Sequence, residues 1–391
     1  MKKSNLIMVI TMSLFFFGMF AWTVIADTPD YSDSERRVLA SFPEISAESI
    51  LEGDFAEGFD EYAVERFPAR DMWRGIKAYA SKAFLQKDNN GIYTVDGHIS
   101  KLEYPMNTAM LDHAASVFSK VNELYLDSEG DGSENSIGNV YFAMIPDKNR
   151  YLAEPSGHLA LDYDKLTEYM VDKMDFAEYI EIADLLEASD YYYTDSHWRQ
   201  EKITDVADRL LQQMAMMNGE EQATTGKSSL GDFRTETATS DFEGVYLGQS
   251  ALKWQPDTIK YLTNDAIEKA EVSLEGVEGT KTVYNMDKLA GKDPYEMFLS
   301  GNQSIVTIKN PMAGESGIND DSAASSKRLV MFRDSFGSSL APLLIENYSE
   351  IVLVDLRYIS SDLVGDYVDF QGADVLFMYS TSMLNNSLAI R

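Results

Sequence analysis

The chain contains no cysteine and only four histidines in 391 residues. The first absence excludes disulfides, thiolate-held metals and a cysteine nucleophile. The second leaves little imidazole for a metal centre. His98, His113 and His158 stand apart in sequence, without the close spacing that metal ligands show, so neither a metal nor another cofactor is expected. Positive charge is scarce as well. Lys and Arg number 33 against 64 Asp and Glu, giving a net charge of −31. Phosphate backbones reward clustered Lys and Arg, so no nucleic-acid partner is expected. The same charge keeps the folded part off an anionic lipid surface. No internal repeat is visible.

Apolar residues, by contrast, make up 45% of the chain, ample for a packed core. One long uncharged run stands out, from Ser4 to Ala26, directly after Lys2 and Lys3. About 20 apolar residues suffice to cross a bilayer as a helix. Lys before the run and Asp27 after it predict a single-pass anchor in the cell membrane, with the remaining chain outside. The competing expectation is a cleaved signal peptide and a secreted protein, since Val24-Ile25-Ala26 offers small or medium residues at the −3 and −1 positions.

Beyond residues 1–26, residues 27–90 read as a leader followed by a helical region, and residues 91–391 as an α/β domain. Phe55, Phe59, Tyr62 and Ala63, then Trp73, Ile76, Ala80 and Phe84, recur at helical spacing on either side of a break at Phe67-Pro68. Asp96-Gly97 between two short apolar runs predicts a hairpin. Helices are expected over 106–126 and 163–174, polar loops over 130–138 and 217–235, and strand-rich hairpin structure over 236–310. The apolar runs 139–145, 328–332, 351–355 and 374–379, with helices at 337–347 and near 360–369, give a βαβ rhythm. That rhythm implies a parallel sheet covered by helices.

Two short segments point to chemistry. Tyr193-Thr194-Asp195-Ser196-His197-Trp198 places a carboxylate and an imidazole two positions apart, on one face of an extended segment. Phe332-Arg333-Asp334-Ser335-Phe336-Gly337 places a serine between an apolar strand and the small residues that open a helix. Asp195 could hold His197 through Nδ1 and leave Nε2 as a base for Ser335, the arrangement acyl transfer requires. An ordinary helix cap at Ser335 and an ordinary surface turn at Asp195 read equally well from either segment alone.

The order of blocks is more specific than any one of them. Glu35-Arg36-Arg37-x-Leu39, Phe42-Pro43, Phe67-Pro68-x-Arg70-Asp71, Gly91-Ile92-Tyr93, Ile145-Pro146-x-Lys148, Tyr193-x-Asp195-x-His197-Trp198 and Asp334-Ser335-Phe336-Gly337 follow one another along nearly the whole chain after the apolar run. Together they resemble the DHHW protein family, which is related to the SGNH-hydrolase-like O-acetyltransferases of the alginate acetylation machinery. The resemblance implies an SGNH-hydrolase-like α/β fold in circularly permuted order, with Ser335 as nucleophile, His197 as base and Asp195 as orienting acid. It implies an O-acetyltransferase acting on a surface or cell-wall polysaccharide, fed with acetyl groups by a multi-pass membrane acyltransferase. An acetyl esterase and a non-catalytic polysaccharide-binding scaffold remain as alternatives. Ser196 departs from the second residue of the family name, and Arg333 stands where SGNH blocks carry glycine. Gly301-Asn302 is a candidate oxyanion element, or a simple turn before the strand at 305–308. Lys148 and Arg333 could meet an anionic sugar, or pair with carboxylates. Tyr191, Tyr192, Tyr193 and Trp198 could form a sugar-stacking surface, or lie in the core.

Overall fold

The structure is a computed structural model and describes residues 3–26, 28–85, 88–127, 138–219, 230–313 and 327–391. Nearly all of the polar loop expected over 130–138, and most of that over 217–235, lie outside the described residues. The chain divides into two compact units. One comprises residues 1–93 with 245–254, the other residues 94–244 and 255–391.

The first unit opens with a helix, Lys3–Ile25. Its segment Ser4–Thr23 is long and apolar enough to cross a membrane, or to serve as a signal sequence. A short antiparallel pair follows, β1 (Tyr31–Ser32) and β2 (Arg37–Val38). Helices Ala47–Glu52, Asp54–Glu65 and Arg70–Ala80 come next. The first is started by Ser46, whose side chain accepts from the Ser49 amide. Two of the sequence blocks are tied together here: Arg70 and Arg74 both pair with Glu35, and Arg37 pairs with Glu65. These early blocks therefore hold this unit in shape.

The chain leaves this unit within β3 (Ile92–Val95), which pairs with β4 (His98–Lys101) across the expected Asp96-Gly97 turn. Both turn residues have positive φ, at 47° and 85°, as this hairpin type requires. In chain order the remaining strands are β5 (Val140–Ile145), β6 (Glu178–Tyr179), β7 (Arg234–Phe242), β8 (Asp257–Thr263), β9 (Glu271–Leu274), β10 (Ile305–Lys309), β11 (Arg328–Arg333), β12 (Glu350–Val354) and β13 (Ala373–Ser380). β7 and β8 form a separate antiparallel hairpin.

Seven strands make the central sheet, in the order β6-β5-β13-β11-β12-β10-β9. The five from β6 to β12 are parallel, whereas β10 pairs antiparallel with β12 and with β9 at one edge. The sheet is thus mostly parallel, as the βαβ rhythm implies, and the hairpin-rich stretch before β11 adds its last two strands to this edge. Alternate residues feed two cores. Tyr141, Ala143, Leu329, Met331 and Met378 join helices Thr204–Met217 and Gly337–Leu344 on one face. Phe142, Met144, Val330, Phe332 and Phe377 join helices Thr108–Val121 and Tyr163–Lys173 on the other. Strands β11 and β13 are buried on both faces, which is why they read as continuous apolar runs. The helix expected near 360–369 is a short 3-10 turn, Ser361–Asp366.

Candidate active site

Parallel α/β sheets place their ligands beyond the carboxyl ends of the strands. Here β11 ends at Arg333 and hands the chain to Asp334, Ser335 and Phe336, after which helix Gly337–Leu344 begins. The turn is built by Asp334. Its carboxylate accepts from the Phe336 amide at 3.0 Å and from the Ser380 amide, at the end of β13, at 2.8 Å. Asp334 thus does the capping work that a serine often does at such a junction, and it fastens two strand ends together. The side chain of Ser335 is left half-buried and available.

Asp195 and His197 sit in a tight reversal closed by a bridge between Tyr191 and Trp198 and by the Tyr192 amide donating to the His197 carbonyl at 3.1 Å. Asp195 is fully buried. One oxygen, Oδ1, accepts from the His197 amide at 3.0 Å and lies 2.6 Å from His197 Nδ1. His197 Nε2 lies 2.7 Å from Ser335 Oγ, although 138 residues separate them in sequence. The tautomer that satisfies both contacts carries its proton on Nδ1 and presents Nε2 to the serine hydroxyl. Ser196, the departure from the family name, donates to Asp195 Oδ1 at 3.4 Å.

The imidazole is also gripped on its faces. Tyr295 lies 3.9 Å from it, ring centroid to centroid, within 12° of parallel, and Phe336 lies against it at 4.8 Å. Tyr295 Oη donates to Ser339 Oγ at 2.8 Å, and Trp198 Nε1 donates to the same oxygen at 2.9 Å. Burial pushes the Tyr295 phenol well above its ordinary range, so it remains a neutral donor.

A cleft of about 90 Å³ opens over the hydroxyl, lined by His197, Ser335, Ser338, Tyr295, Gly301, Asn302 and Arg357, among others. Gly301 and Asn302, the candidate oxyanion element, therefore share a cleft with Ser335. Their loop is unusual: Leu299, Ser300 and Gly301 all have positive φ, at 54°, 63° and 85°. Left-handed backbone at two successive non-glycine residues is costly and concentrates at functional sites. Asn285 secures the loop by donating from Nδ2 to Ser300 Oγ at 3.0 Å.

The other expected sugar contacts lie elsewhere. Trp198 is fully buried, with its ring edge-on to Phe336 and its Nε1 donating to Ser339 Oγ. Tyr191 and Tyr192 are fully buried too. Arg333 is buried at the end of a central strand, 3.5 Å from Asp355, and burial lowers the pKa of its guanidinium. Lys148 is likewise buried. It donates to the carbonyls of Tyr192 and Tyr193 at 2.9 and 3.3 Å. Burial brings its ammonium down to about 7, against the pull of Asp195 and Asp257. Trp198, Tyr191, Tyr192, Arg333 and Lys148 are thus corrected from sugar contacts to interior groups. Tyr193 is 42% exposed, with its inner face on the His98 ring at 4.4 Å, and does not line the cleft. Among the described residues, no group of acidic and histidine side chains could hold a metal ion.

Tyr295, Arg357 and Asp257 were not anticipated. Asp293-Pro294-Tyr295 carries an ordinary helix-start signal, with Asp293 accepting from the Tyr295 amide, and nothing local marks the ring as a neighbour of His197. Arg357 is locked by Asp355 through two contacts of 2.9 and 2.6 Å, leaving it at the cleft wall.

The sheet order, the serine at the end of β11 and the Asp-His block preceding it in sequence define an SGNH-hydrolase-like α/β fold with permuted block order. Comparison with solved structures agrees. A DHHW family protein from Eubacterium siraeum aligns with a TM-score of 0.56 and 20% identity, over 78% of this chain and 96% of its own. PatB1 of Bacillus cereus, solved with a sulfonyl adduct, aligns with a TM-score of 0.54 and 15% identity, over 75% of this chain and 97% of its own. At such identities the likeness is one of fold. No family model matches the chain, and no curated protein sequence does.

Proposed function

We propose that this chain is an extracytoplasmic O-acetyltransferase that modifies a surface or cell-wall polysaccharide. The observation that carries the reading is the unbroken path from Asp195 through His197 to Ser335, with contacts of 2.6 and 2.7 Å. Ser335 Oγ attacks the carbonyl carbon of an acetyl ester while its proton passes to His197 Nε2. The tetrahedral intermediate collapses, the donor alcohol leaves with that proton, and acetyl-Ser335 remains. A sugar hydroxyl then gives its proton to His197 and takes the acetyl group, the Ser335–acyl bond breaks, and His197 returns the proton to Ser335 Oγ. The Ser335 amide and Asn302 are the donors assigned to the oxyanion. The narrow cleft suits a short acyl group better than a long chain. The apolar helix that follows Lys2 and Lys3 supports an anchor with the catalytic unit outside, where a membrane acyltransferase would supply the acetyl donor.

The test is acetate release from a chromogenic acetyl ester by the full chain in detergent, with and without oligosaccharide acceptors, beside Ser335→Ala and His197→Ala. Turnover in the parent, lost in both variants and accompanied by acetylated acceptor, is the expected result. Release to water alone would replace the transferase reading by an esterase. Equal turnover in parent and variants would sink the serine mechanism.

A further inference from the structure

The hairpin that carries Asp195 and His197 is held by two buried ions of opposite sign that grip its peptide groups. From one side, Lys148 Nζ donates to the carbonyls of Tyr192 and Tyr193 at 2.9 and 3.3 Å. From the other, Asp257 accepts from the amides of Tyr193 and Thr194 at 2.9 and 2.8 Å, and from the Thr194 hydroxyl at 2.6 Å. The peptide unit joining residues 192 and 193, and the unit joining 193 and 194, therefore each lie between a cation at the oxygen end and an anion at the nitrogen end. Each peptide dipole is aligned with the field of the pair.

This arrangement is not what extended chain does on its own. In a strand, successive carbonyls point to opposite sides; here two in a row point the same way, to one ammonium. The ions impose a bend immediately before Asp195. They come from different elements: Lys148 follows β5 of the central sheet and Asp257 opens β8 of the separate hairpin. Lys148 is 1% exposed and Asp257 5%. Charges so deeply buried are expensive unless hydrogen-bonded, and here the hairpin backbone supplies bonds to both.

We infer that Lys148 and Asp257 are positioning residues: acting together through the peptide groups of residues 192–194, they fix Asp195 and His197 at the geometry that serves Ser335. The inference rests on the acyl-transfer reading for its kinetic consequence but not for its structural one. Neither residue lines the cleft, so substrate affinity is not theirs to set.

The experiment uses the full chain in detergent, as parent, Lys148→Met, Asp257→Asn and the double variant. Folding is followed by thermal unfolding, and geometry by the low-field proton resonance of the Asp195–His197 hydrogen bond, identified by its loss in His197→Gln. Each single variant leaves the other ion buried and short of a counter-charge, so unfolding temperatures fall; the double variant recovers part of that loss. All three are expected to lose the resonance and to show kcat down about 10- to 100-fold, with KM within about twofold of the parent, since displacement of a catalytic group by about 1 Å can cost that much. A double variant that is folded, keeps the resonance and retains parental kcat overturns the inference. If the parent itself turns over no ester, the functional reading fails while the resonance still decides the role of the two ions.

Discussion

Tyr295 lies flat on His197, 3.9 Å away and within 12° of parallel, and its hydroxyl is tied to the same Ser339 oxygen that receives the Trp198 indole. The imidazole is thus fixed in its plane by Asp195 and across its plane by an aromatic ring. The two constraints come from sequence segments about 100 residues apart. Removing the ring should free the imidazole to tilt. Tyr295→Ala is expected to lower kcat about tenfold or more, and to cost about 3–5 kcal/mol of stability as a large buried side chain lost. Tyr295→Phe keeps the stack, sheds one hydrogen bond worth about 1 kcal/mol and should retain most activity. Steady-state rates with chemical denaturation would separate the two. Near-parental turnover in folded Tyr295→Ala would remove any role for the stack.

Asn302 offers a second test at the cleft. If its side chain stabilises the developing oxyanion, Asn302→Ala should lower kcat by about 10²–10³, with little effect on KM or stability because Asn302 is exposed. A loss confined to KM would instead make it a contact to substrate in the ground state.

Gly244 packs directly on the Asp-His hairpin. Its amide donates to Thr194 Oγ1 at 2.9 Å, and a Cβ at this position would come within 2.4 Å of the Thr194 carbonyl and 2.5 Å of the Asp195 Cβ. Backbone cannot yield as a flexible side chain can. Gly244→Ala should therefore displace Asp195, with a cost of about 1–3 kcal/mol and a larger proportional loss of turnover. Labelling of Ser335 by a sulfonyl fluoride, timed against the parent, would report the loss; an unchanged labelling rate would contradict it.

His98 sets an acid limit on stability. It is buried against Tyr193, its Nδ1 finds no partner among the described residues, and Lys148 and Arg199 add to the burial in bringing its pKa from 6.5 down to about 4. The folded state therefore holds it neutral, and between pH 6.5 and 4 the unfolded chain binds more protons. Its contribution is complete above about pH 6.5 and is lost as the pH falls toward 4, a change of roughly 2–3 kcal/mol. His98→Phe should flatten the unfolding free energy over that window relative to the parent. Parallel pH curves for the two proteins would refute the assignment.

The strands were legible because burial on both faces writes unbroken apolar runs, as in Val140–Ile145 and Ala373–Ser380. The paired Asp195 and His197, and Ser335 beyond β11, were legible because each has a local signature and the order of blocks joined them. What could not be read was which way a charged or aromatic residue turns. Trp198 and His197 are neighbours with opposite fates, one in the core and one in the cleft. Lys148 and Arg333 carry charges that a sequence reader places in solvent, yet the fold surrounds them with carbonyls and a carboxylate. Asp257 is invisible for the same reason: its partners are backbone amides 63 and 64 residues away, and backbone leaves no mark in sequence. The edge strands β9 and β10 read as strands, but their direction depends on a register that only assembly sets.

Asp334 takes over the ties at the end of β11, and among the described residues the serine hydroxyl has no side-chain bond beyond its contact with His197. Such a hydroxyl can be esterified without unfastening anything. Under the acyl-transfer reading, the loaded protein would keep the framework of the empty one. On the proposed reaction, loading and delivery would then need no coincidence in time.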